Sequence, residues 1–303
     1  MTTKPTTLQG VFPVFQTPFH DDESIDFDTL DAEIDWIFQC EADGLVMAMV
    51  SEVLRLSTEE REQLAAHVCE SASNRGPVVI STGAESGHTA ERLTRHAADV
   101  GASAVMAIPP VSITLGEDEL LRYYERIIRA TEIPVIVQDA SGYVGRPMSI
   151  ELQANILREF GSRVKFKPEA VPLGPRLSEL RDATAGQAEV FEGSGGIALV
   201  DSYRRGVVGT MPGGDVVDAI VALWNALETG DNERAYRISL PLSSLIAVQT
   251  NLDAFLAVEK HLLVKRGIFK NTNTRGPVGF RLDDETRNEV DRLFDLLMAV
   301  VAE

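Results

Sequence analysis

Short runs of branched and aromatic residues alternate with amphipathic stretches along most of the chain. Apolar runs at 11–15, 44–49, 78–81, 104–108, 134–138, 164–167, 189–192 and 207–211 read as strands. Each is followed by a segment with helical spacing, at 28–39, 58–73, 89–100, 117–131, 150–160, 175–183, 197–205 and 216–227. The second of these opens on Ser57-Thr58-Glu59-Glu60, a capping box in which serine and glutamate satisfy each other's free amides. Eight strand–helix units predict an α/β protein with a closed (β/α)8 TIM barrel. An open doubly wound sheet usually has fewer strands and a glycine-rich turn after the first. No dinucleotide or phosphate-loop glycine pattern stands at a strand–helix junction, and Gly193-Ser194-Gly195-Gly196 is too short to be diagnostic. After Gly230 the alternation stops, and 231–250, 252–266 and 284–302 read as three helices. The expected organisation is a barrel over 1–230 with a C-terminal three-helix extension, 231–303, packed on it. No linker-like composition separates the two.

Composition narrows the function classes. The 303 residues carry a net charge of −18, spread along the chain, which argues against nucleic acid and against anionic membrane surfaces as partners. No apolar stretch reaches the ~18 residues of a membrane span, and positions 1–10 lack the basic-then-apolar build of a signal peptide. Cys40 and Cys69 fit neither a disulfide framework nor a metal pattern, and the five histidines lack metal-ligand spacing. The expectation is a soluble cytoplasmic protein with no metal and no cofactor.

Candidate chemistry centres on Val164-Lys165-Phe166-Lys167-Pro168-Glu169-Ala170. Apolar residues alternate with lysines, and Pro168 cannot donate to a ladder, so Lys167 falls at the C-terminal lip of the sixth strand. That lip is where barrels of this kind keep their active sites. Only six of the 28 basic residues are lysine: Lys4, Lys165, Lys167, Lys260, Lys265 and Lys270. A lysine here suits an amine that must lose its proton, which arginine cannot do. On the residues alone, Lys167 could equally be a snorkelling surface side chain.

With that lysine on its sixth strand, the chain resembles the dihydrodipicolinate synthase / N-acetylneuraminate lyase family. Gly10-Val11-Phe12-Pro13, Thr17-Pro18-Phe19, Pro109-Pro110, Phe166-Lys167 and Glu192-Gly193 carry the likeness, which spans nearly the whole chain. It implies a usually tetrameric barrel in which the lysine forms a Schiff base with pyruvate or another 2-keto acid. Several positions depart from the family's pattern. Where the family has Gly-Thr-Thr-Gly-Glu, whose hydroxyls and amides hold the keto-acid carboxylate, this chain has Ala48-Met49-Val50-Ser51-Glu52. Val50, Ser51 and Glu52 are therefore candidates for that loop through amides or the serine hydroxyl, with Glu52 also fitting a purely structural role. The proton-shuttling tyrosine of the fifth strand is replaced by Gln138, and the tyrosine donated across the subunit interface by Val111-Ser112. The arginine that binds the semialdehyde aligns near Tyr143, with Arg146 as the nearest substitute. Condensation to dihydrodipicolinate is therefore not expected.

Ser51-Glu52, Val137-Gln138-Asp139-Ala140 and Phe166-Lys167-Pro168-Glu169 are more similar to the 2-keto-3-deoxy-sugar-acid dehydratases, in particular the 2-keto-3-deoxyarabonate branch. There, a glutamate two residues past the lysine serves as acid and base. On the residues alone, Glu169 could instead cap the following helix or pair with an arginine. An amine attacks a ketone only when unprotonated, so an ordinary lysine with pKa about 10.4 must be desolvated or set beside another cation. Lys165, two residues away, could supply that charge or be the nucleophile itself. Gln138 cannot titrate and would act by hydrogen bonding. Gly193 and Ser194, like Gly213 and Gly214, would either allow close approach of substrate or cup a phosphate. The expected activity is a Schiff-base lyase that dehydrates a 2-keto-3-deoxy sugar acid. A class I aldolase releasing pyruvate and a 2-keto-acid-binding barrel with little turnover remain alternatives.

Overall fold

Eight strands alternate with eight helices in the computed structural model, which describes residues 8–303. The reading of the polar N-terminus falls largely on positions 1–7, outside the described residues. The series begins β1 (Gly10–Val11), α1 (Phe27–Gln39), β2 (Leu45–Met47), α2 (Thr58–Ser71), β3 (Val78–Ser81) and α3 (Gly87–Asp99). It continues with β4 (Ala104–Ala107), α4 (Glu117–Arg129), β5 (Val135–Asp139), α5 (Ile150–Phe160), β6 (Val164–Pro168) and α6 (Leu173–Ala183). It closes with β7 (Phe191–Glu192), α7 (Leu199–Arg204), β8 (Gly209–Thr210) and α8 (Val217–Glu228). Three further helices follow: α9 (Asn232–Ile246), α10 (Leu252–Lys265) and α11 (Asp284–Val301). The fold is a (β/α)8 barrel with C-terminal helices. The predicted strands at 11–15, 189–192 and 207–211 are shorter than expected, and the helix predicted over 231–250 ends at Ile246.

Contacts divide the chain into two compact units. One holds Leu56–Gly193 and Asp201–Gly209. Its β3, β4, β5 and β6 pair in parallel, and nearly every strand residue is buried, as a sheet covered on both faces requires. The β5–β6 register sets Gln138 opposite Lys167 and Asp139 opposite Pro168. Phe166 N donates to Glu189 O at 2.9 Å on the β7 side, and Glu169 N donates to Asp139 O at 2.9 Å on the β5 side. Pro168 therefore forgoes only a bond toward β7, and pairing with β5 continues one residue past it. The predicted capping box forms: Ser57 N donates to Glu60 Oε2 at 2.8 Å and Glu60 N to Ser57 Oγ at 3.2 Å.

The other unit holds Gly10–Arg55, Ser194–Val200 and Thr210–Glu303. Val14 bridges both Val46 and Gly213, so the first strand's continuation runs between the second strand and the stretch after β8. In the same unit α8 packs on α9, α9 on α11, and α10 on the short turns Met49–Ser51 and Gly214–Val216. The C-terminal helices thus share their core with the first and last barrel elements.

Candidate active site

In the first unit, β6 ends with the Lys167 and Glu169 side chains both buried. Lys167 Nζ donates to Glu169 Oε1 at 2.6 Å. Gln138, across the β5 register, donates from Nε2 to Glu169 Oε2 at 2.8 Å. The glutamate therefore neither caps α6 nor pairs with an arginine. Burial pushes its carboxyl up, the Lys167 charge opposes that, and the Glu192 charge adds to it. A carboxyl so placed accepts a proton from the adjacent ammonium more readily than a surface carboxylate does. Gln138 Oε1 is buried and has no hydrogen-bond partner among the described residues, which leaves an acceptor for a hydroxyl-bearing ligand.

The third wall is Gly193, just after β7. A Cβ there would stand 2.7 Å from Glu169 Oε1 and 2.9 Å from Lys167 Cε, so only glycine lets that backbone lie against the pair. Tyr143 donates from its hydroxyl to Gly193 O at 3.3 Å. Its loop is tied down by Asp139, a residue to which the sequence analysis gave no role. Asp139 Oδ1 accepts from Ser141 N at 3.2 Å, and Oδ2 accepts from Met148 N at 3.0 Å and lies 3.7 Å from Arg176. An aspartate directly after a strand is the signal that could have pointed to such an anchor.

The two lysines of β6 have different partners. Lys165, half-buried, forms an ion pair with Glu189, and burial pushes its amine down. Lys167 bonds the Glu169 carboxylate, which Gln138 holds from its other oxygen.

The second unit carries Val50, Ser51, Glu52 and Ser194. Ser51 is buried, and its hydroxyl donates to Phe15 O at 2.6 Å while accepting from Ala48 N at 3.1 Å. Its one proton is committed, as are the Ser51 and Glu52 amides, which donate to Ala48 O at 3.0 Å and Met49 O at 2.9 Å. Val50 is the only residue of 48–53 that is not buried. Glu52 pairs with Lys260 at 2.5 Å, a partner the sequence analysis missed because 208 positions separate the two. Ser194 Oγ accepts from Ala198 N at 3.0 Å within its own turn. Gly213 and Gly214 face the carboxyls of Glu259, Asp215 and Glu33, none of which brings the positive charge that suits a phosphate cup.

Comparison with known proteins places this arrangement. The dihydrodipicolinate synthetase family profile matches residues 7–296. An L-2-keto-3-deoxyarabonate dehydratase from Azospirillum brasilense is 28% identical over 293 residues, covering 93% of this chain and 92% of the relative. The crystal structure of dihydrodipicolinate synthase from Rhodopseudomonas palustris aligns with a TM-score of 0.87 at 26% identity, over 95% of this chain and 97% of that one. A prophage protein of the dihydrodipicolinic acid synthase family from E. coli K12, solved with pyruvate, aligns at 0.86 and 23% identity. It covers 96% of this chain and 99% of its own, and at that identity the likeness speaks for the fold. The chain is a (β/α)8 barrel lyase. It belongs to the dihydrodipicolinate synthetase family. Among the described residues no helix is long and apolar enough to cross a membrane.

Proposed function

We propose that the chain is a Schiff-base lyase that dehydrates a 2-keto-3-deoxy sugar acid. The observation that carries this reading is the buried Lys167–Glu169 pair, with Gln138 orienting the carboxylate from its other oxygen. The name of the Azospirillum brasilense relative supports the reaction class, and the pyruvate held by the E. coli protein supports the keto-acid class. Lys167 passes a proton to Glu169, and the freed amine attacks the C2 ketone; loss of water gives an iminium. Glu169, ionised again, takes a proton from C3 and leaves an enamine. The enamine electron pair then breaks the C4–O bond, and the hydroxyl leaves as water with the proton that Glu169 returns. Hydrolysis of the resulting unsaturated iminium frees Lys167. Gln138 Oε1 accepts from a substrate hydroxyl.

Aldol cleavage is the second reading, favoured by one contact. The Tyr143 hydroxyl rests on Gly193 O, beside the pair, where it could relay the C4 hydroxyl proton. Trapping and product analysis separate the readings. Incubation with pyruvate and borohydride is expected to leave a reduced adduct on Lys167, located by peptide mass spectrometry and absent in Lys167→Ala. With 2-keto-3-deoxy-pentonates and -hexonates the expected product is a dehydrated keto compound. Pyruvate plus an aldehyde would install the aldolase reading; an adduct without turnover would leave a keto-acid-binding barrel. Light scattering on the same preparation reads the homotetramer that the family likeness implies, and a monomer would count against it.

A further inference from the structure

Asp139 ends β5 with its side chain buried, in the same unit as Lys167 and Glu169. Its main-chain oxygen accepts from Glu169 N at 2.9 Å, one residue past Pro168. Its carboxylate holds both arms of the loop that follows: Oδ1 accepts from Ser141 N at 3.2 Å and Oδ2 from Met148 N at 3.0 Å. Arg176, in the first turn of α6, reaches the same joint. Its Nη2 donates to Met148 O at 2.5 Å and lies 3.7 Å from Asp139 Oδ2. Met148 is thus gripped through its amide by one residue and through its carbonyl by the other.

Between those arms the loop lies on the walls of the candidate site. At Gly142 a Cβ would stand 2.5 Å from Glu169 O, so the loop backbone runs directly against the backbone of the glutamate. One residue on, Tyr143 reaches Gly193 O, and Gly193 in turn lies against Glu169 Oε1 and Lys167 Cε. Yet Gly142, Gly145, Arg146 and Pro147 are exposed, so burial alone does not fix the loop. Its two ends do, and both end on one carboxylate.

We infer that Asp139 is a positioning residue for Glu169: with Arg176 it fixes the 140–148 loop against Glu169 O and Gly193 O, and so keeps the Glu169 carboxyl aligned for its proton transfers. This rests on the lyase reading above, in which Glu169 moves the protons. Both Asp139 carboxylate oxygens are committed to loop amides, so the residue acts on turnover through Glu169 and spares capture of a keto acid by Lys167.

The test is Asp139→Asn in the full chain. Asparagine offers one acceptor oxygen where two are used, and its amino group meets a backbone N–H at the other. Steady-state rates on whichever 2-keto-3-deoxy acid the natural chain turns over give kcat, and borohydride trapping with pyruvate gives a half-saturating concentration. Asp139→Asn is expected to lower kcat about tenfold or more, to leave half-saturation within about threefold and to speed hydrogen–deuterium exchange over 140–148. In a chain already carrying Glu169→Gln the same change is expected to cost less than about threefold, because the residue it acts through is gone. Natural kcat in a folded Asp139→Asn chain overturns the inference, as does a rise in half-saturation with kcat unchanged, or a full tenfold loss on top of Glu169→Gln. Should Asp139→Asn fail to fold, Arg176→Met, which frees Met148 O and leaves Asp139 in place, is judged by the same outcomes. A natural chain that turns over no keto-deoxy acid sinks the lyase reading instead. Exchange then decides the hold on the loop, and equal exchange over 140–148 in variant and natural chains overturns it.

Discussion

Lys167 and Lys260 are each buried against a glutamate, at 2.6 Å from Glu169 and 2.5 Å from Glu52, yet their surroundings differ in kind. Glu169 is two residues from its lysine, on the end of the same strand, so the pair is set by local geometry. Glu52 comes from another part of the chain, and its lysine also holds the Asn273 carbonyl and lies over the Phe19 ring. Among the described residues Lys167 has Glu169 as its one hydrogen-bond partner, although an ammonium has three donors to place. Burial pushes Glu169 and Glu52 up alike, so the direction of a carboxyl's shift does not tell the pairs apart. The number of partners does. Lys260 Nζ bonds two oxygens and lies over a ring, as an anchor does, whereas Lys167 Nζ bonds one, as the proposed nucleophile requires.

The largest expected effect separates the two glutamates. Glu169→Gln is expected to lose about a hundredfold or more in kcat while the Lys167 adduct still forms, and Tyr143→Phe to lose much less. If Glu169→Gln kept its kcat, Glu169 would be an anchor like Glu52 and the contrast would collapse.

A smaller effect sharpens what confines Lys167. In Gly193→Ala the added methyl meets Glu169 and Lys167 at 2.7–2.9 Å. Overpacking of this kind costs about 1–3 kcal/mol, and kcat is expected to fall about tenfold, since both shifted groups take part in the proposed chemistry. Denaturant titration and steady-state rates read the two quantities. A chain with unaltered rates would mean that the pair has slack, and the proposed close fit would be wrong.

The smallest effect concerns the carboxyls behind Lys260. Burial pushes Asp215 up from 3.8 to about 7, with Arg266 opposing and Asp218 adding to the shift. Glu33 and Glu259 are pushed up in the same way, again chiefly by burial. The folded-state value lies above the unfolded one, so the folded chain keeps a proton that the unfolded chain has already lost. The Asp215 contribution is therefore complete below pH 3.8, declines as pH rises to about 7 and is not recovered above it. Urea midpoints measured at about pH 4 and about pH 8 are expected to fall more in the natural chain than in Asp215→Asn. Parallel behaviour would show that Asp215 titrates as an ordinary surface acid.

Much of the fold was legible because a barrel strand buried on both faces reads as an apolar run and a barrel helix as a period of 3.6. Where strands were shorter than predicted, as at β1, β7 and β8, apolar residues continue into buried loops, and hydropathy alone does not separate a buried loop from a ladder. The Lys167–Glu169 half of the site was legible for a related reason: both residues belong to one seven-residue segment whose strand pattern places them at the lip. Gln138 was named through likeness to known sequences, but its bond to Glu169 follows only from the β5–β6 register.

What the sequence by itself determined was local: where strands and helices fall, where caps form, and that a lysine and a glutamate share one strand end. Those follow from side-chain periodicity and from bonds spanning a few residues. Only the tertiary structure decided which partners each lysine meets. That depends on partners far apart in the chain, Glu52 and Asn273 for Lys260, Glu189 for Lys165, and the close backbone of Gly193 for Lys167. Hydropathy and spacing carry no record of such pairings, because each is created by the fold that brings the two segments together.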